Sequence, residues 1–328
     1  MSSPGLPLTK GSAGTAVRDL HRRLQAAGET VSGVRFTSET ELAVRRFQAS
    51  RGLVVDGICG PQTWSALVEA AHRLGDRMLY LRYPMTRGDD VTELQRRLGS
   101  LGFDAGWIDG IFGPDSQRAV REFQLNSGLG PDGVVGHATV AALDRLAARQ
   151  AGTRTVAAVR EVETLRHRVG DLACRRIVIG EAGGIPSVAL ALGRQLRSVG
   201  AEVLDITHPD PSEHARRANN WTGDLYLGVT LASSELSVAY FATSGFESAG
   251  GRELAGLCAA ALAPVLGVEM SARGMRIPIL RETRMAAVWC RLGPPPRVVE
   301  KAPFVADVLR HAVVGWCRKP VEEPSSTG

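Results

Sequence analysis

The chain reads as an α+β multidomain protein in which two copies of a three-helix repeat precede an α/β domain built on a mostly parallel sheet. Three observations predict this. The first half matches itself at an offset of 74 residues in one block and 76 in another, the mark of an internal repeat. Within each copy the apolar residues recur at three- and four-residue spacing, the period of a helix with one buried face. From Arg176 onward short apolar runs alternate with helical stretches, the pattern of a sheet with helices on its faces.

The repeat is legible residue by residue. GTAVRDLHRRLQAAG from Gly14 matches GDDVTELQRRLGSLG from Gly88, and LAVRRFQASRGLVVDGICGPQT from Leu42 matches RAVREFQLNSGLGPDGVVGHAT from Arg118. Val17, Leu20 and Leu24, with Val91, Leu94, Leu98 and Leu101, supply the apolar face of the first helix in each copy. Val44 with Phe47, and Val120 with Phe123, do so for the second. Ser38 and Glu41 have capping-box spacing and are expected to open the second helix of the first copy. Asp56, Gly57 and Gly60, matched by Asp132, Gly133 and Gly136, predict tight turns that need positive φ. Pro61 then suits the first position of a third helix. The expected domains are 1–74 and 80–147 for the repeats, 148–175 for a basic amphipathic linker helix, 176–319 for the α/β domain and 320–328 for a disordered tail.

The linker helix is expected from Val162, Leu165, Val169 and Leu172, an apolar stripe flanked by Arg160, Arg166, Arg168 and Arg175. It would dock on one of the domains, with a surface for a partner helix as the sharper alternative. Beyond it, RIVIG, AEVLDIT, DLYLGVTL, LSVAYFA and AAVWCRLG read as strands. SVALALGRQLRSVG and GGRELAGLCAAALAPVLG read as helices between them.

Composition narrows the function classes. A hydrophobic share of 44% fits a globular chain with apolar cores. The net charge of +5 comes from 36 arginines and 3 lysines spread along the whole sequence, and aromatics are 5%. A single-stranded nucleic-acid groove wants stacking aromatics among its basic residues, so no nucleic-acid partner is expected. The run from Leu254 to Val268 is interrupted by Pro264 and falls short of the roughly 20 residues of a membrane span, so no span is expected. The opening MSSPGLPLTKGSAGTAVRDL has none of the layout of a secretory signal. Cys59, Cys174, Cys258, Cys290 and Cys317 show no metal-ligand spacing and read as reduced core thiols. Together these give the cytoplasm as the expected location.

The first 146 residues resemble the small three-helix peptidoglycan-binding domains attached to bacterial wall hydrolases. The second copy is the closer match, with GWIDGIFGPDSQRAVREFQ followed by GLGPDGVVGHATVAAL. The first has VSGVRFTS where an aromatic-Asp-Gly turn would stand. The resemblance makes Trp107, Asp109, Gly110, Gly113, Gln124, Asp132 and Gly133 the candidate ligand-binding residues. Most of them could equally serve only to hold helices and turns together. Trp107 could stack on a sugar ring or cap the core.

The α/β region is similar to the zinc-dependent N-acetylmuramoyl-L-alanine amidases. In that family a strand leads into a His-bearing loop, a Glu opens the next helix, a second His ends a central strand and a catalytic Glu ends a late one. Three protein ligands and an open position for water are what such a metal requires. Here the first position falls on Ala182, or on Glu181 if the loop is deleted. The second falls on Thr230, in a segment where Ala218 and Asn219 match the family's pair. Arg291 stands in place of the catalytic Glu. The resemblance therefore implies no metal, no other cofactor and no catalytic residue.

Two rescues are open: a relocated metal site on His208, Asp210, Glu213 and His214, and a nucleophile at Cys290. A polar loop entering a helix explains the first group more simply, and Cys290 lies on an apolar strand with no nearby His. The expected function is a non-catalytic regulator of peptidoglycan synthesis that binds a peptidoglycan fragment or precursor and touches a cytosolic protein of that pathway. An amidase with an unorthodox site and a structural adaptor without a glycan ligand are the alternatives.

Overall fold

The structure, a computed structural model, describes residues 5–147, 155–166, 172–173, 175–233, 235–243 and 245–318. The expected tail at 320–328, and Arg168 and Val169 of the expected linker helix, lie outside them. The chain divides into two compact units, residues 1–157 and 158–328.

In the first unit α1 (Thr15–Ala26), α2 (Ser38–Ser50) and α3 (Pro61–Glu69) form one repeat, and α4 (Asp89–Ser100), α5 (Pro114–Asn126) and α6 (His137–Ala147) form the other. The matched apolar positions are buried in pairs: Val17 and Val91, Leu20 and Leu94, Leu24 and Leu98, Phe47 and Phe123, Leu67 and Leu143. Burying one such leucine stabilises by about 1.5–3 kcal/mol, so each small core rests on a handful of side chains. Pro61 and Pro114 occupy the first helical turn, where the missing amide proton is not needed. The capping box of α2 is not Ser38 with Glu41. Thr37 is the N-cap and pairs reciprocally with Thr40, one residue earlier than the sequence spacing suggested. Thr40 is buried and hydrogen-bonded to His21, a tertiary contact that sets the helix start.

Among the described residues, part of the expected linker helix is present. It spans α7 (Val156–Arg166), and Leu172 lies in a bend rather than continuing the helical stripe. Val162, Leu165 and Leu172 are all buried in the core of the α/β unit, so this stripe is not a free surface for a partner helix.

The α/β unit continues with β1 (Arg176–Glu181), α8 (Pro186–Ser198), β2 (Glu202–Thr207), α9 (Pro211–Trp221), β3 (Leu225–Leu231), β4 (Ser237–Thr243) and β5 (Phe246–Glu247). It ends with α10 (Ala249–Leu266), β6 (Ser271–Met275), α11 (Pro278–Glu282), β7 (Ala286–Leu292), α12 (Pro295–Glu300) and α13 (Ala302–Arg318). The sheet order is β2-β1-β3-β7-β4-β5, with β6 also on β4. The pairs β1–β2, β1–β3, β3–β7 and β4–β6 are parallel, while β4 runs antiparallel to β7 and β5. The strands expected from sequence are present. β5 and β6 were not anticipated, because two residues, and SARGM with only Met275 buried, carry no apolar run.

Strand alternation divides the side chains between two faces. Ile177, Ile179, Leu227, Val229, Val288 and Cys290 join α8, α10 and α13 in one core. Tyr226 and Trp289 project to the other face, where His214 of α9 packs against both. By length and composition α10 could cross a membrane, but Leu254, Cys258, Leu262 and Leu266 are buried in the core. Its packing is that of a core helix.

Glu161 of α7 is tied to the start of α10. Its carboxylate accepts from Ser248 Oγ at 2.6 Å and from the Ala249 amide at 3.1 Å, so it adds a second cap to a helix that Ser248 already caps. Desolvation pushes the Glu161 carboxyl above the ordinary value of 4.5, against hydrogen bonds from Ser248, Ala249 and Gly250 that pull it down. A carboxyl raised on folding contributes fully below its unfolded value, and that contribution declines as pH rises through the folded one. Urea-unfolding midpoints across pH should therefore show a decline above pH 4.5 in the wild type that Glu161→Gln lacks. Parallel pH profiles for the two proteins would contradict this.

Candidate functional site

Two regions carry the candidate residues. In the second repeat Gln124 Nε2 lies 2.8 Å from Asp132 Oδ1, 3.0 Å from the Val134 carbonyl and 3.1 Å from Thr139 Oγ1. The Gly133 amide donates to Gln124 Oε1 at 2.9 Å, and the Val134 amide donates to Asp132 at 2.8 Å. That amide, with Gln124, holds the Asp132 carboxyl below its ordinary range. Gly133 has φ 76°, so the turn needs a residue without Cβ. The same lock recurs with Gln48, Asp56, Gly57 and Thr63 in the first repeat.

It recurs a third time where the sequence showed no parallel. Gln95 reaches Asp109 at 2.8 Å and Ser116 at 3.2 Å, and the Gly110 amide donates to it at 2.8 Å. Each repeat thus contains two similar turns, each gripped by a helix side chain. In the first repeat His21 stands where Gln95 stands in the second, and bridges the Gly33 carbonyl and Thr40. Gln95 was overlooked because its lock closes over 14 residues, against eight for Gln124.

Among the sequence-expected ligand residues, Asp109 and Gly110 therefore belong to one lock, and Gln124, Asp132 and Gly133 to another, with polar atoms turned to their own turns. Trp107 is half-buried just before the first lock. Gly113 caps α5, and a Cβ there would lie 3.7 Å from Met85 Sδ.

The second region is the C-terminal edge of the parallel strands. β1 connects through α8 to β2 on one side, and the chain then returns through α9 to β3 on the other. Such a reversal opens a crevice beyond the strand ends where open α/β sheets hold ligands. Thr230 and Arg291 are register partners there. Thr230 is half-buried, and Arg291 pairs with Glu235 at 3.4 Å. Glu181 ends β1, but strand parity puts it on the opposite face, with Ile177 and Ile179. Its carboxylate accepts from the Gly183 amide at 2.8 Å and the Ile185 amide at 3.1 Å. Ala182 follows in the loop with no donor atom on its side chain.

These residues do not fit a zinc ion. They offer a hydroxyl, a methyl group, a guanidinium and a carboxylate already spent on two amides, where the metal needs three imidazole or carboxylate ligands. A cation about 4 Å from the metal would meet several kcal/mol of repulsion at intermediate dielectric.

The polar group after β2 is likewise committed. His214 is buried, with Nδ1 2.8 Å from the Tyr226 hydroxyl and Nε2 donating to the His208 carbonyl at 2.7 Å. Desolvation by burial holds its imidazole below the ordinary value, which fits a neutral ring. His208 Nδ1 accepts from the Asp210 amide at 3.0 Å, Asp210 caps α9, and Glu213 pairs with Arg216. No group of three metal-binding side chains occurs among the described residues. Cys290 is buried beside Cys258, whose hydrogen bond, together with burial, pushes its thiol well above the ordinary value. A thiol so placed is a poor nucleophile.

Known proteins resemble the chain in both regions. A family model described as a putative peptidoglycan binding domain matches residues 13–67 and 87–143. The chain is 32% identical over 320 residues to N-acetylmuramoyl-L-alanine amidase CwlM of Mycobacterium tuberculosis, covering 87% of this chain and 78% of that protein. It is 34% identical over 168 residues to N-acetylmuramoyl-L-alanine amidase CwlL of Bacillus licheniformis, covering 44% of this chain and 47% of the relative, so about half the Bacillus protein has a counterpart here. A crystal structure of an N-acetylmuramoyl-L-alanine amidase from Clostridium difficile 630 covers 47% of this chain and 99% of its own at 14% identity, with a TM-score of 0.37. With peptidoglycan-binding repeats ahead of an amidase-like α/β domain, this chain belongs to the family of the mycobacterial amidase CwlM.

Proposed function

We propose that the protein binds a peptidoglycan fragment or precursor through its repeats, performs no hydrolysis with its amidase-like domain, and regulates peptidoglycan synthesis from the cytoplasm by contact with a protein of that pathway. The observation that carries this reading is the pair Thr230 and Arg291, side by side at the C-terminal ends of β3 and β7, with Arg291 paired to Glu235. In an amidase that edge has to hold a metal, activate water and accept its proton. A guanidinium does none of these, since it has donors only and stays charged. Among the described residues Cys59, Cys258, Cys290 and Cys317 are free thiols and buried, Cys174 lying outside them, which supports a reducing compartment.

The test has two arms. Purified protein equilibrated with zinc should retain no stoichiometric metal by elemental analysis and release no peptide from muropeptides. Crosslinking in living cells should recover a cytosolic enzyme of precursor synthesis. Tightly held zinc together with turnover that a chelator abolishes would make the protein a hydrolase instead. Recovery from the extracellular wall alone would remove the cytoplasmic role.

A further inference from the structure

The segment that leads into α4 is a strap laid across both turns of the second repeat. Leu79 exchanges hydrogen bonds with Val135, beside the Gln124 lock, at 3.2 and 2.8 Å. At its other end the Phe112 amide donates to the Thr86 carbonyl at 2.9 Å and the Gly88 amide to the Gly110 carbonyl at 3.1 Å, beside the Gln95 lock. Arg77 ties the two ends together, bonding Asp90 at 2.7 Å and the Arg87 carbonyl at 2.8 Å. Leu79 and Thr86 are buried, and Arg82 Nε donates to Thr86 at 2.9 Å. The backbone is therefore fixed from beneath.

What it presents outward is aromatic. Tyr83 is 75% exposed, Tyr80 43% and Met78 66%, with the exposed Arg82 between the two tyrosines. Holding such rings in water on a fixed backbone forgoes the gain of burying them. The first repeat has no counterpart. From Leu8, which pairs with Cys59 as Leu79 does with Val135, six residues lead to the helix-capping Gly14, against nine from Leu79 to Gly88. The shorter strap offers Pro7, Thr9 and Lys10, with no aromatic ring.

We propose that the strap of the second repeat is a glycan-stacking surface, with Tyr80 and Tyr83 against the apolar faces of successive sugar rings and Arg82 against a carboxylate of the same strand. This rests on the peptidoglycan-binding reading and deepens it. A flat aromatic ring matches the C–H face of a pyranose. A strap ordered before binding loses little conformational freedom on contact. The free carboxylates of the peptide carried on muramic acid supply the charge that an exposed arginine would attract. The site lies beside Gly113, over which Met85 sits, and so adjoins the turn that carries Trp107.

Calorimetric titration of the full chain with a soluble disaccharide-peptide muropeptide, and with an uncharged N-acetylglucosamine oligomer, tests this. Tyr83→Ala should weaken muropeptide binding by about tenfold or more, while Tyr83→Phe stays within about twofold of wild type. Arg82→Ala should weaken the muropeptide by more than it weakens the uncharged oligomer. Since Tyr83 is exposed, its variants should melt with the wild type. Wild-type binding that Tyr80→Ala and Tyr83→Ala leave intact would overturn the strap while keeping the repeats as glycan binders. No binding of either probe by the wild type would overturn both readings. Loss of self-association in Tyr83→Ala, with unchanged muropeptide affinity, would show the strap to be a contact between copies and would also overturn the proposal.

Discussion

Gly180→Ala is expected to cost about 4 kcal/mol or more, a loss large enough to leave the α/β unit unfolded at ordinary temperature. Gly180 is the penultimate residue of β1, and a Cβ there would lie 2.6 Å from His214 Nδ1 and closer still to the Tyr226 hydroxyl. Neither atom can retreat. Tyr226 is fully buried, its hydroxyl is bonded to His214, and His214 is bonded in turn to the His208 carbonyl. Trp289 completes the layer, standing so close to Gly228 that a Cβ there would meet its ring at 2.6 Å or less. Two glycines on neighbouring strands thus make room for a tyrosine, a histidine and a tryptophan beneath the edge that carries Thr230 and Arg291. Denaturant unfolding of Gly180→Ala, Tyr226→Phe and the double variant checks this. The double variant should be more stable than the sum of the two losses predicts, because removing the hydroxyl relieves part of the clash. A Gly180→Ala protein within about 1 kcal/mol of wild type would mean that this layer is loosely filled.

Gln124→Ala should cost about 2–4 kcal/mol. Gln124 is buried, and its removal leaves the Gly133 amide without its acceptor and takes one donor each from Asp132 and Thr139. Gln124→Glu keeps the acceptor for Gly133 but sets a second carboxylate against Asp132. That variant should be no better at neutral pH and should recover as pH falls far enough to protonate one of the pair. Urea melts at two pH values distinguish these outcomes. The result also decides what Gln124, Asp132 and Gly133 are for. If Gln124→Ala is nearly neutral in stability yet weakens muropeptide binding, these residues face the ligand; a large stability loss makes them the frame on which the strap is mounted.

Much of this protein is written in local sequence. The three-and-four spacing of Val17, Leu20 and Leu24 and its copy at Val91, Leu94 and Leu98 dictates buried helical faces, because a helix must hide an apolar stripe. The runs RIVIG, DLYLGVTL and AAVWCRLG dictate strands buried on both faces, and the resemblance to zinc amidases implies that Ala182, Thr230 and Arg291 stand where that family has its ligands and catalytic Glu. Other features depend on partners distant in sequence. Nothing local distinguishes Gln95 from any exposed helical glutamine until the fold brings Asp109 and Ser116 to it. His214 has the composition of a metal ligand, and only the arrival of Tyr226 and the His208 carbonyl commits both its nitrogens. SARGM becomes strand β6 because β4 offers it an edge, and Tyr83 stands out only once Leu79 beside it has been given its place in a core. Periodicity is a property of one segment and is set by backbone geometry. Hydrogen-bond satisfaction and exposure are properties of pairs and of surfaces, so tertiary structure alone decided them.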